Sequence, residues 1–204
     1  MTKKRVIFLH GVGSNGDDLA GLGLHWAPHL PGVTFAAPDA PFRFDHGPGY
    51  QWFSLDGVTP QNRVDRLIAA RSAFDDTLRG LLNAHQIDRP EKVLLVGFSQ
   101  GAMMALDALA SGRWSLAGVV AFSGRLATPE PLIPLRHTPV LLAHGRVDAV
   151  IPWEESESAA LRLKAAGLPV ETLFENGIGH TISGAGAQRA VSFIARCFDI
   201  TDAL

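Results

Sequence analysis

Six short apolar runs, most of them unbroken, constrain this chain more than any other feature. They are Val6–Leu9 (VIFL), Val33–Ala37 (VTFAA), Val93–Gly97 (VLLVG), Leu116–Phe122 (LAGVVAF), Val140–Ala143 (VLLA) and Val170–Phe174 (VETLF). A strand with one wet face alternates apolar and polar residues. A continuous run marks a strand covered on both faces, the habit of parallel sheets. Between the runs lie helical patterns. In the longest, Val64, Leu67, Ile68, Phe74, Leu78, Leu81 and Leu82 share one stripe, with Arg66, Asp75, Asp76 and Arg79 mostly off it. Ala102–Ala110 is apolar nearly all round, so a buried helix is expected, and a last helix runs from about Ala185 to Phe198. The alternation predicts a mostly parallel sheet of about six strands with helices on both faces, and sites at the carboxyl ends of the strands.

No repeat, low-complexity tract or linker divides the chain, so one domain over 1–204 is expected. Two segments lack periodicity, Pro38–Asn62 and Gly124–Thr138. With 19% charged residues and a net charge of −2, the signs interspersed, neither nucleic acid nor an anionic membrane is an expected partner. The single cysteine, Cys197, excludes an internal disulfide and any cysteine-based metal cluster. The N-terminal basic residues precede four apolar ones, where a secretory segment needs about seven or more. No run approaches the roughly 18 apolar residues of a membrane-spanning helix. A cytoplasmic protein without stable membrane insertion is expected.

Gly97-Phe98-Ser99-Gln100-Gly101 is the one G-x-S-x-G in the chain, and it lies after a buried strand and before a helix. In a chain with 21 glycines the pattern can arise by chance, but rarely in that setting. A nucleophilic serine at this place projects from a sharp strained turn, and its neighbours two before and two after are crowded, so glycine is needed at both. The helix N-terminus behind Ser99 offers free N–H groups to a developing oxyanion.

A serine hydroxyl needs a base. Downstream stand His137, His144 and His180. His137 precedes a strand, at the wrong end of the sheet. His180, in a glycine-rich loop after the last strand, is preferred, with His144 in reserve. The acid is expected on the loop after the fifth strand, where Asp148 stands. Glu154, Glu155 and Glu157 follow Pro152 at a helix start, a routine place for acids. Asp148 would fix the His180 tautomer and stabilise its imidazolium.

Gly11-Val12-Gly13-Ser14-Asn15-Gly16 spells the dinucleotide-binding G-x-G-x-x-G after the first strand. Asp17 and Asp18, however, sit where a pyrophosphate would bind the helix N-terminus, and would repel it. The acid expected about twenty residues on could only be Asp39, outside the second strand. Behind a nucleophilic serine the same loop has another task, lending one N–H to the oxyanion hole beside that of the residue after the serine.

With FLHGVGSNGDDL, GYQWFSLDG, VGFSQGAMMAL, HGRVDAVIP and GIGH in this order, the chain resembles the phospholipase/carboxylesterase family of α/β hydrolases from about Val6 to Phe198. The resemblance implies an α/β-hydrolase fold without a cap domain, and no metal or cofactor. It implies Ser99 as nucleophile, Asp148 and His180 as its partners, and the N–H groups of Val12 and Gln100 as the oxyanion hole. The chain starts about at its first core strand, so the antiparallel N-terminal strands of many α/β hydrolases are expected to be absent or rudimentary. Trp52-Phe53-Ser54 stands where eukaryotic thioesterases tend to carry Trp-Phe-Asp, which favours the bacterial esterases.

The expected activity is hydrolysis of short- to medium-chain carboxylic esters through an acyl-enzyme. A thioester or lysophospholipid substrate would use the same machinery. Rivals of another class are a non-catalytic binding protein on this fold and a nucleotide-binding protein. Nothing in the sequence decides between monomer and homodimer. Gly124–Thr138, about 15 residues, is too short for a helical cap, so an open cleft is expected. Trp52 and Phe53 are candidates for substrate contact; the alternative is that they pin a long loop to the core.

Overall fold

A computed structural model describes residues 4–87, 89–135 and 137–200; the remaining positions of the expected 1–204 domain lie outside the described residues. The six apolar runs form strands β1 (Lys4–Leu9), β2 (Val33–Ala36), β5 (Val93–Phe98), β6 (Gly118–Phe122), β7 (Val140–Gly145) and β8 (Val170–Glu175). They make one sheet of order β2-β1-β5-β6-β7-β8, and every pairing in it is parallel. The helices are α1 (Gly16–Trp26), α2 (Arg63–Ala84), α3 (Gln100–Ala110), α4 (Glu154–Ala165) and α5 (Gly184–Cys197).

Unbroken strands supply two cores. Val6, Phe8, Leu94, Val96, Val120, Phe122 and Leu141 point to one face, where Trp26 of α1 and Val191, Phe193 and Ile194 of α5 cover them. Ile7, Leu9, Leu95, Val119, Ala121, Val140 and Leu142 point to the other, under Leu67, Phe74 and Leu78 of α2, the whole of α3, and Leu163 of α4. The central strands β5 and β6 alternate between two apolar layers, while polar residues enter at Arg5 of β1, at His144 of β7 and, on the edge strands, at Thr34, Glu171 and Thr172.

β1 pairs with β2 on one side and with β5 on the other. The strand order therefore reverses between β1 and β5, and a crevice opens there at the carboxyl ends. The loop after β1 and the turn after β5 face each other across it.

Three features differ from the sequence expectation. Pro38–Asn62 is not wholly irregular: it holds a two-stranded antiparallel ribbon, β3 (Phe42–Arg43) with β4 (Tyr50–Gln51), too short to show a period. Ile68 of the α2 stripe is 40% exposed, whereas Asp75, expected off the stripe, is buried. Asp75 accepts from Trp114 Nε1 at 2.7 Å and Arg113 Nε at 3.1 Å, so long-range partners draw it inward. Likewise Asp107 lies fully buried in the otherwise apolar α3, taking hydrogen bonds from Arg71, Arg113 and Thr128. The Gly124–Thr138 segment carries no helix or strand among its described residues. It is strapped to α3 and α4 by Thr128 to Asp107, Ile133 N–H to Ala110 O, and Arg162 to the carbonyls of Leu126 and Thr128.

Asp107→Ala removes the shared acceptor of two arginines. Breaking a buried ion pair costs about 3–5 kcal/mol. Arg71 and Arg113 keep some contact with water, which sets the expected loss at the lower end, about 3 kcal/mol in urea unfolding. A loss below about 1 kcal/mol, the range of an exposed pair, would show that water replaces the carboxylate.

Candidate active site

At the end of β5 the chain turns sharply into α3 at Ser99, whose φ of 53° and ψ of −115° are strained for any residue with a Cβ. Both flanking glycines are sterically required. A Cβ on Gly97 would come within 2.5 Å of Ala102 backbone, and one on Gly101 within 2.0 Å of Leu9 O. The Ser99 N–H is anchored to Phe122 O at 2.9 Å, which leaves its side chain at the crevice.

Ser99 Oγ stands 3.0 Å from His180 Nε2, and His180 Nδ1 stands 2.7 Å from Asp148 Oδ2. A carboxylate only accepts, so Nδ1 carries the proton and Nε2 is free to receive one from the serine. The His180 ring packs against Phe98 with centroids 4.9 Å apart. The Asp148 side chain has no exposed surface. Burial opposes its ionisation, but hydrogen bonds from His180 and from the Ile151 and Val150 N–H groups outweigh that and hold its carboxyl below the usual carboxylate range.

His144, the reserve base, lies on the far side of Asp148. It is buried at the end of β7, where its Nε2–H is shared by Asp148 Oδ2 (3.0 Å) and Ile151 O (2.9 Å). Ser156 Oγ meets its Nδ1 at 2.7 Å. Asp148 thus receives four donors, and His144 orients the acid rather than reaching the serine.

The loop after β1 is fastened from several sides. His10 is buried and donates from Nδ1 to Gly11 O, while its Nε2 accepts from Ala40 N–H at 2.9 Å, which fixes a neutral tautomer. Gly13 N–H donates to Tyr50 O and Tyr50 N–H to Ser14 O, both at 2.8 Å, tying the loop to the β3–β4 ribbon. Among the described residues neither the Val12 nor the Gln100 N–H has an acceptor. Asn15 and Asp18 form a capping box on α1, and Asp39 accepts from Gly16 N–H at 2.8 Å. Carboxylates therefore occupy the helix terminus where a nucleotide phosphate would bind.

The Gln100 side chain, unremarked in the sequence, clamps the Pro38–Asn62 segment: its Oε1 accepts from Trp52 N–H and its Nε2 donates to Phe53 O, both at 2.8 Å. Trp52 corrects an expectation. It has no exposed surface, donates from Nε1 to His10 O at 2.9 Å, and stacks edge-on against Phe74. It pins the loop and offers nothing to a substrate. Phe53 is 5% exposed and borders a cavity of about 450 Å³ with Phe42, Gln51 and Arg66; Ser99 is not among its lining residues.

A parallel sheet with this strand order, covered on both faces and carrying a strained serine after β5, defines an α/β hydrolase. The chain belongs to the phospholipase/carboxylesterase family, whose model matches residues 1–198. It is 30% identical to esterase YpfH of Escherichia coli over 189 residues, covering 93% of this chain and 81% of that one. Acyl-protein thioesterase 1 of Gibberella zeae is 27% identical over 198 residues, covering 86% and 83%. The crystal structure of esterase PE8 superposes with a TM-score of 0.85 at 36% identity, covering 96% of this chain and 93% of that one. Among the described residues no helix is long and apolar enough to cross a membrane.

Burial lowers the affinity of both His10 and His144 for a proton. A histidine whose folded pKa lies below its unfolded value near 6.5 binds fewer protons in the native state, so stability is lost as pH falls below about 6.5. The exposed His46, raised by its hydrogen bond to Asp56, works with the opposite sign and is weakened by salt. Urea unfolding in high salt should therefore show lower stability at pH 5 than at pH 7, and His10→Gln should flatten the difference. Equal stability at both pH values in the unsubstituted protein would contradict the buried neutral tautomers.

Proposed function

We propose that the protein is a serine carboxylesterase acting on short- to medium-chain esters through an acyl-enzyme. The observation that carries this reading is the continuous chain of contacts from Ser99 Oγ to His180 Nε2, and from His180 Nδ1 to Asp148 Oδ2. Ser99 Oγ attacks the ester carbonyl while its proton passes to His180 Nε2. The carbonyl oxygen, now negative, takes hydrogen bonds from the Val12 and Gln100 N–H groups. The tetrahedral intermediate collapses with the alcohol leaving, protonated by His180. Water then repeats the sequence on the acyl-serine, His180 taking its proton, and the acid is released. Asp148 stays ionised throughout and stabilises the imidazolium.

Thioester hydrolysis is the second reading, favoured by the relatives named acyl-protein thioesterase 1. Both bonds place an acyl carbon before the same serine. Oxygen esters and thioesters of matched acyl chains, assayed in parallel, separate the two.

Ser99→Ala should abolish the pre-steady-state acylation burst while leaving the circular dichroism spectrum intact. Thiol reagents should leave the rate unchanged, since burial pushes the Cys197 thiol up to about 12 and away from the reactive thiolate. A burst retained in Ser99→Ala would overturn the mechanism.

Asp148→Asn should lower kcat on the order of 10⁴-fold, as in Ser–His–Asp proteases, because the imidazole loses the acceptor that sets its tautomer. His144→Phe should cost less than His180→Ala. A dead His144→Phe beside an active His180→Ala would reverse the assignment of the base.

A further inference from the structure

Directly after β6 the chain runs over the first turns of two helices. Gly124 lies against α3, where an added Cβ would come within 2.6 Å of Ala102 Cβ, and its carbonyl oxygen stands 3.2 Å from Ser156 Oγ of α4. Arg125 follows at once, at the carboxyl edge of the sheet and beside the helix that begins at Gln100. Its side chain is only 11% exposed. Yet among the described residues its guanidinium makes no hydrogen bond: Nε is buried without an acceptor, and the one carboxylate in reach, Glu155, stands 3.5 Å from Nη1. Arg113, similarly buried, is by contrast held by both Asp75 and Asp107.

A second cation lies within electrostatic reach of this group. Burial is the main influence lowering the Arg125 pKa, Glu155 offsets it, and the charge of Arg63 adds to it, so Arg63 lies close enough to repel. Arg63 is the first residue of α2, behind a turn that Thr59 and Asn62 close with reciprocal bonds: Asn62 N–H donates to Thr59 Oγ1 at 3.3 Å and Thr59 N–H to Asn62 Oδ1 at 2.8 Å. A cation at a helix N-terminus opposes the positive end of the dipole. Arg125 is thus a buried guanidinium with one carboxylate at 3.5 Å and a second cation within electrostatic reach. Local rules broken without a compensating contact are a mark of functional sites. The planar fork of a guanidinium matches a carboxylate.

We propose that Arg125, backed by Arg63, binds a carboxylate of the substrate beside Ser99, so that the preferred esters are anionic. The inference rests on the ester-hydrolase reading and narrows its substrate class. The carboxylate can belong to the acyl half, as in a dicarboxylic half-ester, or to the leaving alcohol.

Two measurements test it. Calorimetric titration of the intact protein with succinate should show binding that Arg125→Gln abolishes and Glu155→Gln, by removing the competing carboxylate, tightens. In kinetics, kcat/KM for monoethyl succinate is compared with ethyl butyrate, and for acetoxyacetate with propyl acetate. A preference for the anion in the first pair places the carboxylate on the acyl half, and in the second on the leaving half. Whichever anionic ester is preferred, its advantage over the neutral partner should fall about tenfold or more in Arg125→Gln, the scale of one charge-assisted hydrogen bond, and in the same direction in Arg63→Gln. Should Arg125→Gln fail to fold, Arg63→Gln carries both measurements. Absence of succinate binding, or an unchanged ratio in folded variants, overturns the proposal. Arginine-dependent succinate binding without hydrolysis of any ester would uphold the anion site and overturn the esterase reading instead.

Discussion

The contact on which the rest of the site depends is between two pieces of backbone. At the switch point of the sheet, Gly101 in the first turn of α3 lies so close to the end of β1 that a Cβ would sit 2.0 Å from Leu9 O. That approach brings the free N-terminal amides of α3 up to the loop after β1. It also holds the turn at Ser99 in a region of backbone space that costs on the order of 1–3 kcal/mol. A strained turn persists only where its surroundings over-determine it. Here Gly97 against Ala102 and Ser99 N–H on Phe122 O do so from two further directions.

Around this contact the loops are fixed by long-range polar bonds rather than by their own regular structure. Gln100 clamps Trp52 and Phe53, Trp52 reaches back to His10, and His10 joins the loop after β1 to Ala40. On the other side of the serine, Asp148 is held by two histidines and two backbone amides. In the proposed mechanism this matters because donors already in place at the developing charge need no reorganisation during the reaction. Loops fastened in this way act as rigid parts.

The sheet was legible because its central strands, buried on both faces, read as apolar runs. The positions of Ser99, Asp148 and His180 were legible because each follows a strand at its carboxyl end, where one sheet edge gathers them. What was hidden depends on partners distant in sequence. Asp75 reads as a surface residue of α2 until Arg113 and Trp114 are placed against it. Asp107 disappears in an apolar helix, although its burial beside two arginines needed that helix to be flanked on its outer side. Trp52 looks like a substrate contact because an aromatic in an irregular segment carries no mark of its depth; its indole N–H goes to a main-chain carbonyl 42 residues away. Arg125 follows a strand just as Ser99 does, but nothing local shows that it lacks an acceptor.

The central claim is that Ser99 is the nucleophile, and covalent labelling tests it most directly. The protein is treated with a fluorophosphonate, digested, and the adduct located by tandem mass spectrometry. The account predicts one phosphonyl group per chain, on Ser99, and no labelling of His180→Ala on the same timescale. An adduct on any other residue, or an unlabelled protein that still hydrolyses ester, would contradict it.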